Sequence, residues 1–367
     1  MEIASIKSAF FNSGSVLLFT LIITNAHKLE ITGKKIAAFC MVCGFSFFGK
    51  NIINTIPLVI GTLQYINYKK LDADDYIHVI CFSTGISPLI SFTFFSLDMP
   101  LLFSIPLGLV IGIIVGFIII PISENMFFFH QGYNLYNVGF CLGILGLVIN
   151  NLFLLMNIET PKVFQVYQGD DDPLIVAFIM IIGTILSISL ISPDSVDDYI
   201  QFLKRNKNMD IDFTAKFNRV VIMTNMALLG LFCLIYIKLN HGIVNGPTLG
   251  AIIAVMGFGA YGIDPVNIFS IFIGIKLASI ISPNDFDTTS TLIISLFGTT
   301  LAPIPSKYGF WAGVVSGFLH KAIAINTSHI HGGLNLYNNG LSGGLVAGIM
   351  IPVLQAIQKK KTTINYY

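Results

Sequence analysis

The stretches HQGYNLYNVGFCLG (130–143) and HGGLNLYNNGLSGG (331–344) are two copies of one pattern, and they decide the fold. Both copies carry a histidine, the tetrapeptide N-L-Y-N and three glycines at one constant offset along the chain. The same offset aligns the glycines upstream of each copy: Gly108, Gly112 and Gly116 with Gly309, Gly313 and Gly317. Apolar helices resemble one another by chance, but a shared polar tetrapeptide with matching flanks does not. The sequence therefore predicts an internal duplication.

The composition indicates that this duplicated chain lies in a membrane. Of its 367 residues, 54% are hydrophobic and 11% are charged, and the mean hydropathy is +0.80. Soluble domains carry about 25% charged residues, so this chain has too little polar surface to cover itself in water. The net charge of +1 gives no basic surface for a nucleic acid, which we exclude as a partner. We predict an all-α, polytopic integral membrane protein.

The apolar segments and the charges between them predict a topology. About thirteen segments, among them 76–97 and 289–303, are long enough or nearly long enough to cross a bilayer. Lysine and arginine concentrate in the central polar stretch and in the C-terminal tail, whereas Asp98 and the acidic run 170–172 lie in loops of the opposite side. Because cytoplasmic loops are the cationic ones, we expect a multi-pass protein of the cell (plasma) membrane with its N-terminus outside and its C-terminus in the cytoplasm.

The duplication divides the chain into three parts. We predict a first membrane repeat at 1–200, a cytoplasmic connecting loop at 201–216 and a shorter second repeat at 217–367, which lacks the last helix of the first. Equivalent segments lie an odd number of crossings apart, so the two repeats are expected to have inverted topology, with broken or re-entrant helices. This architecture is typical of transporters and channels, whose substrate path lies at the repeat interface.

The two N-L-Y-N motifs are the candidate substrate path. Asparagine and glycine are poor residues inside a helix, so each motif predicts a helix break. Backbone that is not helical is tolerated at membrane depth where protein or a watery cavity satisfies it. Amide and phenol groups can line a narrow, neutral path, although capping of the following helix is the alternative. The residues predicted to line the path are Asn134, Tyr136, Asn137, Asn335, Tyr337 and Asn338.

Two further asparagines and four ionisable residues complete the candidate site. Asn54 and Asn267 begin equivalent apolar helices, where they either line the path or hold helices together. A gating or proton-linked role is predicted for His130, His331, Glu124 and Asp264, against the alternative of ordinary hydrogen bonding at helix ends. No metal site is predicted, because the histidines have no carboxylate or thiolate near them in sequence. No cofactor is predicted either, because the chain has no phosphate-binding loop.

The motifs also carry two resemblances. The G-K-N-x-x-N and H-x-G-x-N-L-Y-N-x-G segments resemble a bacterial family of polytopic membrane proteins of unknown function, over nearly the whole chain. A more distant likeness is to urea transporters, whose glycine-aromatic-asparagine pattern is occupied by Asn137 with Gly143 and by Asn338 with Gly344. That likeness implies inverted repeats, a channel-like path in each protomer and a homotrimer. The Leu-Pro-Phe filter segments of urea transporters have no counterpart, so urea selectivity is not implied.

Together these features predict a transport protein and not an enzyme. It would pass a small polar solute, such as urea, an amide, ammonia or a small ion, along a channel-like path at the repeat interface. One alternative is a sodium- or proton-coupled secondary transporter. A second is a membrane enzyme acting on a lipid-linked substrate, for which His320, His329 and His331 are available but a nucleophile or carboxylate pair is missing. The expected partners are the lipid bilayer, the solute and further copies of the chain in a dimer or trimer.

Overall fold

A computed structural model of the chain describes residues 5–25, 30–160, 165–190, 195–205, 212–282, 288–336 and 338–364. Within these ranges all regular structure is helical, apart from one isolated bridge between Asp212 and Tyr261. The all-α fold is confirmed. Tyr337, one of the residues predicted to line the path, lies outside the described residues.

The helices follow the same order in both halves of the chain. The first half contains α1 (Ile6–Asn25), α2 (Gly33–Phe45), α3 (Ile52–Lys69), α4 (Ala73–Ser83), α5 (Ser87–Phe95), α6 (Leu101–His130) and α7 (Asn137–Leu155), followed by α8 (Asp172–Leu190) and α9 (Ser195–Lys204). The second half contains α10 (Arg219–Leu239), α11 (Gly246–Phe258), α12 (Pro265–Ile281), α13 (Thr288–Gly298), α14 (Pro303–Tyr308), α15 (Phe310–Ile330) and α16 (Asn338–Ile364). Helices α1 to α7 therefore correspond to α10 to α16, whereas α8 and α9 have no counterpart in the described part of the second half. Helix α9 runs across the predicted boundary at residue 200.

The helices have the length and surface of membrane-crossing segments. Seven of the described helices, counting α4 and α5 as one, are long and apolar enough to cross a bilayer. Large apolar side chains on α6, such as Leu102 and Phe128, are each 77% exposed, as expected for residues that face lipid. The prediction of a multi-pass membrane protein is confirmed.

Contacts between α2 and α11 show that the two repeats are inverted. A Cβ built on Gly33, at the start of α2, would lie 2.2 Å from the carbonyl oxygen of Ala260, just past the end of α11. A Cβ built on Gly246, at the start of α11, would lie 2.7 Å from the carbonyl oxygen of Phe47, just past the end of α2. Because Gly33 is equivalent to Gly246 and Phe47 to Ala260, the equivalent helices run antiparallel about an approximate two-fold axis.

Helices α7 and α16 form the second part of the interface between the repeats. A Cβ built on Gly340 would lie 2.7 Å from the backbone of its equivalent, Gly139. Gly143 packs against Leu341 and, reciprocally, Gly344 packs against Phe140. Inside each repeat a glycine ladder also brings two backbones together, because Gly116 contacts α3 in the same way as its equivalent Gly317 contacts α12.

Candidate functional site

The predicted segment 76–97 is interrupted near its middle, and the predicted segment 289–303 is interrupted near its C-terminal end. Short 3-10 turns, Thr84–Ile86 and Thr299–Leu301, separate α4 from α5 and α13 from α14. Pro88 and Pro303 follow the turns in the first residues of the second half-helices, where a proline with no N–H ends the preceding hydrogen-bond ladder. Helix α4 has 11 residues, a rise of about 16 Å against a hydrocarbon core of about 30 Å. The break therefore lies near the middle of the crossing.

Each break is contacted by the N-L-Y-N segment of the other repeat. The Leu135 N–H donates to the Thr300 carbonyl oxygen at 3.0 Å, and the Leu336 N–H donates to the Gly85 carbonyl oxygen at 2.9 Å. The two leucines are equivalent in the motifs, and the two acceptors are equivalent in the interrupted helices. The motifs are therefore helix breaks, as predicted, and each one satisfies a carbonyl that the opposite interrupted helix leaves open.

Side chains strengthen this contact at the break of the second repeat. The Thr300 hydroxyl donates to Asn134 Oδ1 at 2.5 Å and accepts from the Tyr136 N–H at 3.0 Å. The Asn134 Nδ2 group donates to the Gly340 carbonyl oxygen at 3.2 Å. Gly85, which stands at the position of Thr300 in the first repeat, has no side chain to do the same. Asn134 and its equivalent Asn335 are both buried.

Aromatic rings fill the space between the two interrupted helices. The ring centroids of Phe45 and Phe297 are 5.4 Å apart, and those of their equivalents, Phe258 and Phe82, are 6.1 Å apart. The Tyr136 ring lies 4.7 Å from Phe258 and 5.9 Å from Phe297. All five rings, which we call the central aromatic cluster, are buried. The Tyr136 hydroxyl faces Thr299 but has no hydrogen-bond partner among the described residues.

The histidines before the breaks face the asparagines that begin the next helices. His130 Nε2 and Asn137 Oδ1 are 2.9 Å apart, and Asn137 Nδ2 donates to the Ser123 carbonyl oxygen at 2.9 Å. The equivalent residues His331 and Asn338 also face each other, although they do not reach hydrogen-bond geometry. Both histidines are fully buried. Each pair therefore lies across a helix break, and the His130–Asn137 pair joins its two sides by a hydrogen bond.

Asn54 and Asn267 cap the helices that they begin. Each forms a reciprocal capping box, with Asn51 at the start of α3 and with Asp264 at the start of α12. Their Nδ2 groups also reach the second half-helices, since Asn54 donates to Ser91 at 3.0 Å and Asn267 donates to Ser306 at 3.2 Å. Both amides thus connect a helix start to the interrupted helix of the same repeat.

The two acidic candidates lie at different places. Glu124 is exposed and accepts a hydrogen bond from the Tyr76 hydroxyl at 2.8 Å. Asp264 is fully buried, and its Oδ2 lies 2.7 Å from the Arg205 guanidinium. The guanidinium stacks over Phe202 and Phe213, with distances of 4.0 and 4.4 Å to the ring centroids. The structure does not bring the two acids together.

Lys50 is a buried candidate that sequence reasoning missed. It is 1% exposed, and its Nζ has no hydrogen-bond partner among the described residues. The equivalent position in the second repeat holds Ile263, also fully buried. The signal was present in the sequence, as a single charge between two apolar segments and as a mismatch between otherwise similar repeats. The interrupted helices had a signal too, since FSTGISPL (82–89) and FGTTLAPI (297–304) share Phe, Thr and Pro at one offset.

These features define a class: a multi-pass membrane protein built from two inverted repeats, each with an interrupted helix held by a break in the other. The chain belongs to the family described as "Protein of unknown function (DUF1576)", whose model matches residues 1–155 and again residues 191–356. The first match ends with α7, and the second reaches from the α9 region into α16, so one match falls on each repeat. No curated protein and no solved structure matches the chain.

Proposed function

We propose that the protein transports a small polar solute across the plasma membrane along the interface between its two repeats. The observation that carries this proposal is the pair of interrupted helices, each contacted at its break by the opposite repeat. In transporters built from inverted repeats, broken helices near the bilayer midplane form the substrate site. The polar backbone at such a break is tolerated at that depth only where protein, water or a solute satisfies it.

The polar groups beside the breaks indicate the kind of solute. Asn134, Thr299 and Thr300 place amide and hydroxyl groups there, and the Tyr136 hydroxyl is buried beside them. These groups are neutral, and they can both donate and accept. A small solute with hydrogen-bonding groups can replace the contacts that they now make with one another. The sequence likeness to urea transporters supports a solute about as small as urea. We further propose that the protein lies in a bacterial membrane and forms a dimer or trimer.

The central aromatic cluster favours a gated path over a permanently open one. Its five buried rings occupy the space between the two interrupted helices. A solute can cross only when this packing separates, which requires one repeat to move relative to the other. The two backbone hydrogen bonds between the motifs and the opposite breaks, one from each motif, contribute only about 1 kcal/mol each. The alternative is that a sodium or proton gradient drives this movement, which would make the protein a coupled secondary transporter.

The histidines available to an enzyme are not gathered into one site. His320 is buried between Asn339 and Ser342, at 3.2 Å from each. It lies in α15, whereas His331 follows the end of that helix, eleven residues later and about 16 Å further along its axis. His329 is exposed. This separation gives no support to the alternative of a membrane enzyme.

The proposal is tested with the full chain in proteoliposomes. Stopped-flow light scattering would measure the entry of urea, acetamide, ammonium and a small anion such as lactate against protein-free liposomes. We expect at least one of these solutes to enter faster, and Asn134→Leu to slow it by about tenfold, the effect of losing one or two buried hydrogen bonds. Asn151→Leu is the matched control, because Asn151 is exposed and bonds only to its own helix. Entry no faster than in empty liposomes for any polar solute would refute the proposal.

A further inference from the structure

Lys50 holds its amine inside the bundle, with no hydrogen-bond partner and no counter-ion among the described residues. Its Nζ lies 5.6 Å from the centroid of the Phe45 ring, which belongs to the central aromatic cluster. The titratable group with which it interacts is the thiol of Cys81, three residues before the break at Thr84. The amine therefore lies beside both the central aromatic cluster and the interrupted helix of the first repeat.

The backbone around Lys50 is held in place by two other helices. The Lys50 carbonyl oxygen accepts a hydrogen bond from Asn12 Nδ2 of α1 at 2.8 Å, and its N–H donates to the Phe45 carbonyl oxygen of α2 at 3.3 Å. Gly49, which precedes it, has a φ of +151°, a conformation that side chains rarely adopt. The chain is thus fixed on both sides of the lysine, and the buried amine is part of a defined turn.

The second repeat shows that the fold does not need this charge. Ile263 occupies the equivalent position and is equally buried, and the helix that follows begins with the same capping box in both repeats. An unpaired charge in a membrane segment is destabilising, and such residues mark functional sites by default. Lys50 destabilises the bundle, and the second repeat has an apolar side chain in its place. Its presence therefore indicates that it binds a ligand.

Ser87 repeats this pattern on the other side of the same break. It is the first residue of α5, is fully buried, and its hydroxyl has no hydrogen-bond partner among the described residues. Its equivalent in the second repeat is Ala302, again an apolar residue. The first repeat thus has a buried amine and a buried hydroxyl close to the turn Thr84–Ile86, and neither has a hydrogen-bond partner among the described residues.

We propose that Lys50, together with Ser87, binds the carboxylate group of a small organic acid, and that this acid is the transported solute. The inference rests on the proposed transport function and narrows its substrate to one chemical class. A carboxylate accepts charge-assisted hydrogen bonds from an ammonium and further bonds from a hydroxyl. A neutral amide carries no charge with which the protonated amine of Lys50 could pair.

The test uses the full chain in proteoliposomes with radiolabelled L-lactate and succinate, and with urea and acetamide as neutral probes. Lys50→Ile copies the second repeat and removes the charge, whereas Lys50→Arg keeps it. Lys69→Ile, at the exposed end of α3, is the matched control. We expect saturable uptake of at least one carboxylate by the wild type and by the control. Lys50→Ile should lower this uptake by at least about tenfold, the effect of losing one charge-assisted hydrogen bond, while Lys50→Arg retains part of it.

The thermal stability of Lys50→Ile, measured by size-exclusion chromatography after heating, should equal or exceed that of the wild type. Loss of uptake then reflects binding and not misfolding. Uptake of urea or acetamide without uptake of either carboxylate would overturn the inference and leave the transport proposal standing. Carboxylate uptake that is unchanged in Lys50→Ile would also overturn it. Uptake of none of the four probes would count against both proposals.

Discussion

Gly44 and Gly250 lie back to back at the centre of the interface between the repeats. A Cβ added to Gly44 would stand 2.4 Å from the Gly250 carbonyl oxygen, and one added to Gly250 would stand 2.3 Å from that of Gly44. The equivalent contact joins Gly257 to Ala37, whose Cα would lie 3.1 Å from the added atom. The distance between α2 and α11 is therefore set by backbones in direct contact, as in membrane helices that pack through small residues.

Substitution of Gly44 should push the two repeats apart. In Gly44→Ala the new methyl group overlaps backbone atoms, which cannot turn aside as a flexible side chain can, so α2 and α11 must shift. Overpacking of this kind costs about 1–3 kcal/mol. We expect a lower yield of monodisperse protein and a lower apparent Tm in detergent. Gly183→Ala is the control, because an added Cβ there meets nothing within 4 Å. Equal stability of the two variants would contradict the proposed interface.

The sequence predicted the class of fold because its strongest signals are local and repeated. The two N-L-Y-N motifs and their glycine ladders predicted the duplication, and the odd number of crossings between equivalent segments predicted the inversion that Gly33 and Gly246 now show. The breaks at the motifs followed from residue types that disfavour helix. These inferences needed only the pattern along one stretch of chain and its copy.

The contacts at the centre could not be predicted in the same way. Leu135 meets Thr300, and Leu336 meets Gly85, across stretches of chain that no local pattern relates. The turn Thr84–Ile86 was overlooked, because its flanks are apolar enough to resemble one continuous span. The hydrogen-bond partner of Asn134, whether protein or solute, depends on which groups the fold brings next to it. The residue type alone does not determine that partner. The roles of the predicted path residues in transport therefore stay predictions.

Thr300 should matter more than an average buried threonine. Thr300→Val removes the hydroxyl that joins Asn134 to the Tyr136 N–H, and it leaves polar groups of the first motif short of a partner. We expect a loss of stability of about 1–3 kcal/mol together with altered solute flux, measured by heating in detergent and in proteoliposomes. Thr184→Val, on an exposed face of α8 where the hydroxyl bonds only to Met180, should change neither. A Thr300→Val protein that matches the Thr184→Val control in both assays would show that the contact is unimportant.

Substitutions of the asparagines that begin α7 and α16 can distinguish an effect on solute flux from an effect on folding. Asn137→Leu breaks the contact with His130 and the bond to the Ser123 carbonyl oxygen, so it should lower stability by about 1–3 kcal/mol as well as flux. Asn338 has no hydrogen-bond partner for its Oδ1 among the described residues. We therefore expect Asn338→Leu to keep a near-normal amount of folded protein and to lose flux. Normal flux through folded Asn338→Leu would remove the second motif from the path.

Asp264 should act in folding through Arg205 and not in proton transfer. Asp264→Asn keeps the side-chain oxygen that caps α12, as Asn51 does for α3 in the first repeat, but it removes the charge facing Arg205. Breaking a buried ion pair by removing one partner costs about 3–5 kcal/mol, so the apparent Tm should fall.

Removing both charges should be milder, because no uncompensated ion is then left buried. The double variant Asp264→Asn with Arg205→Leu should recover part of the lost stability, and it should transport solute at a rate close to that of the wild type at every pH tested. Its flux would be measured in proteoliposomes with and without an imposed proton gradient. A folded double variant that loses only its gradient-dependent flux would instead assign Asp264 a proton-linked role and favour the coupled transporter over passive permeation.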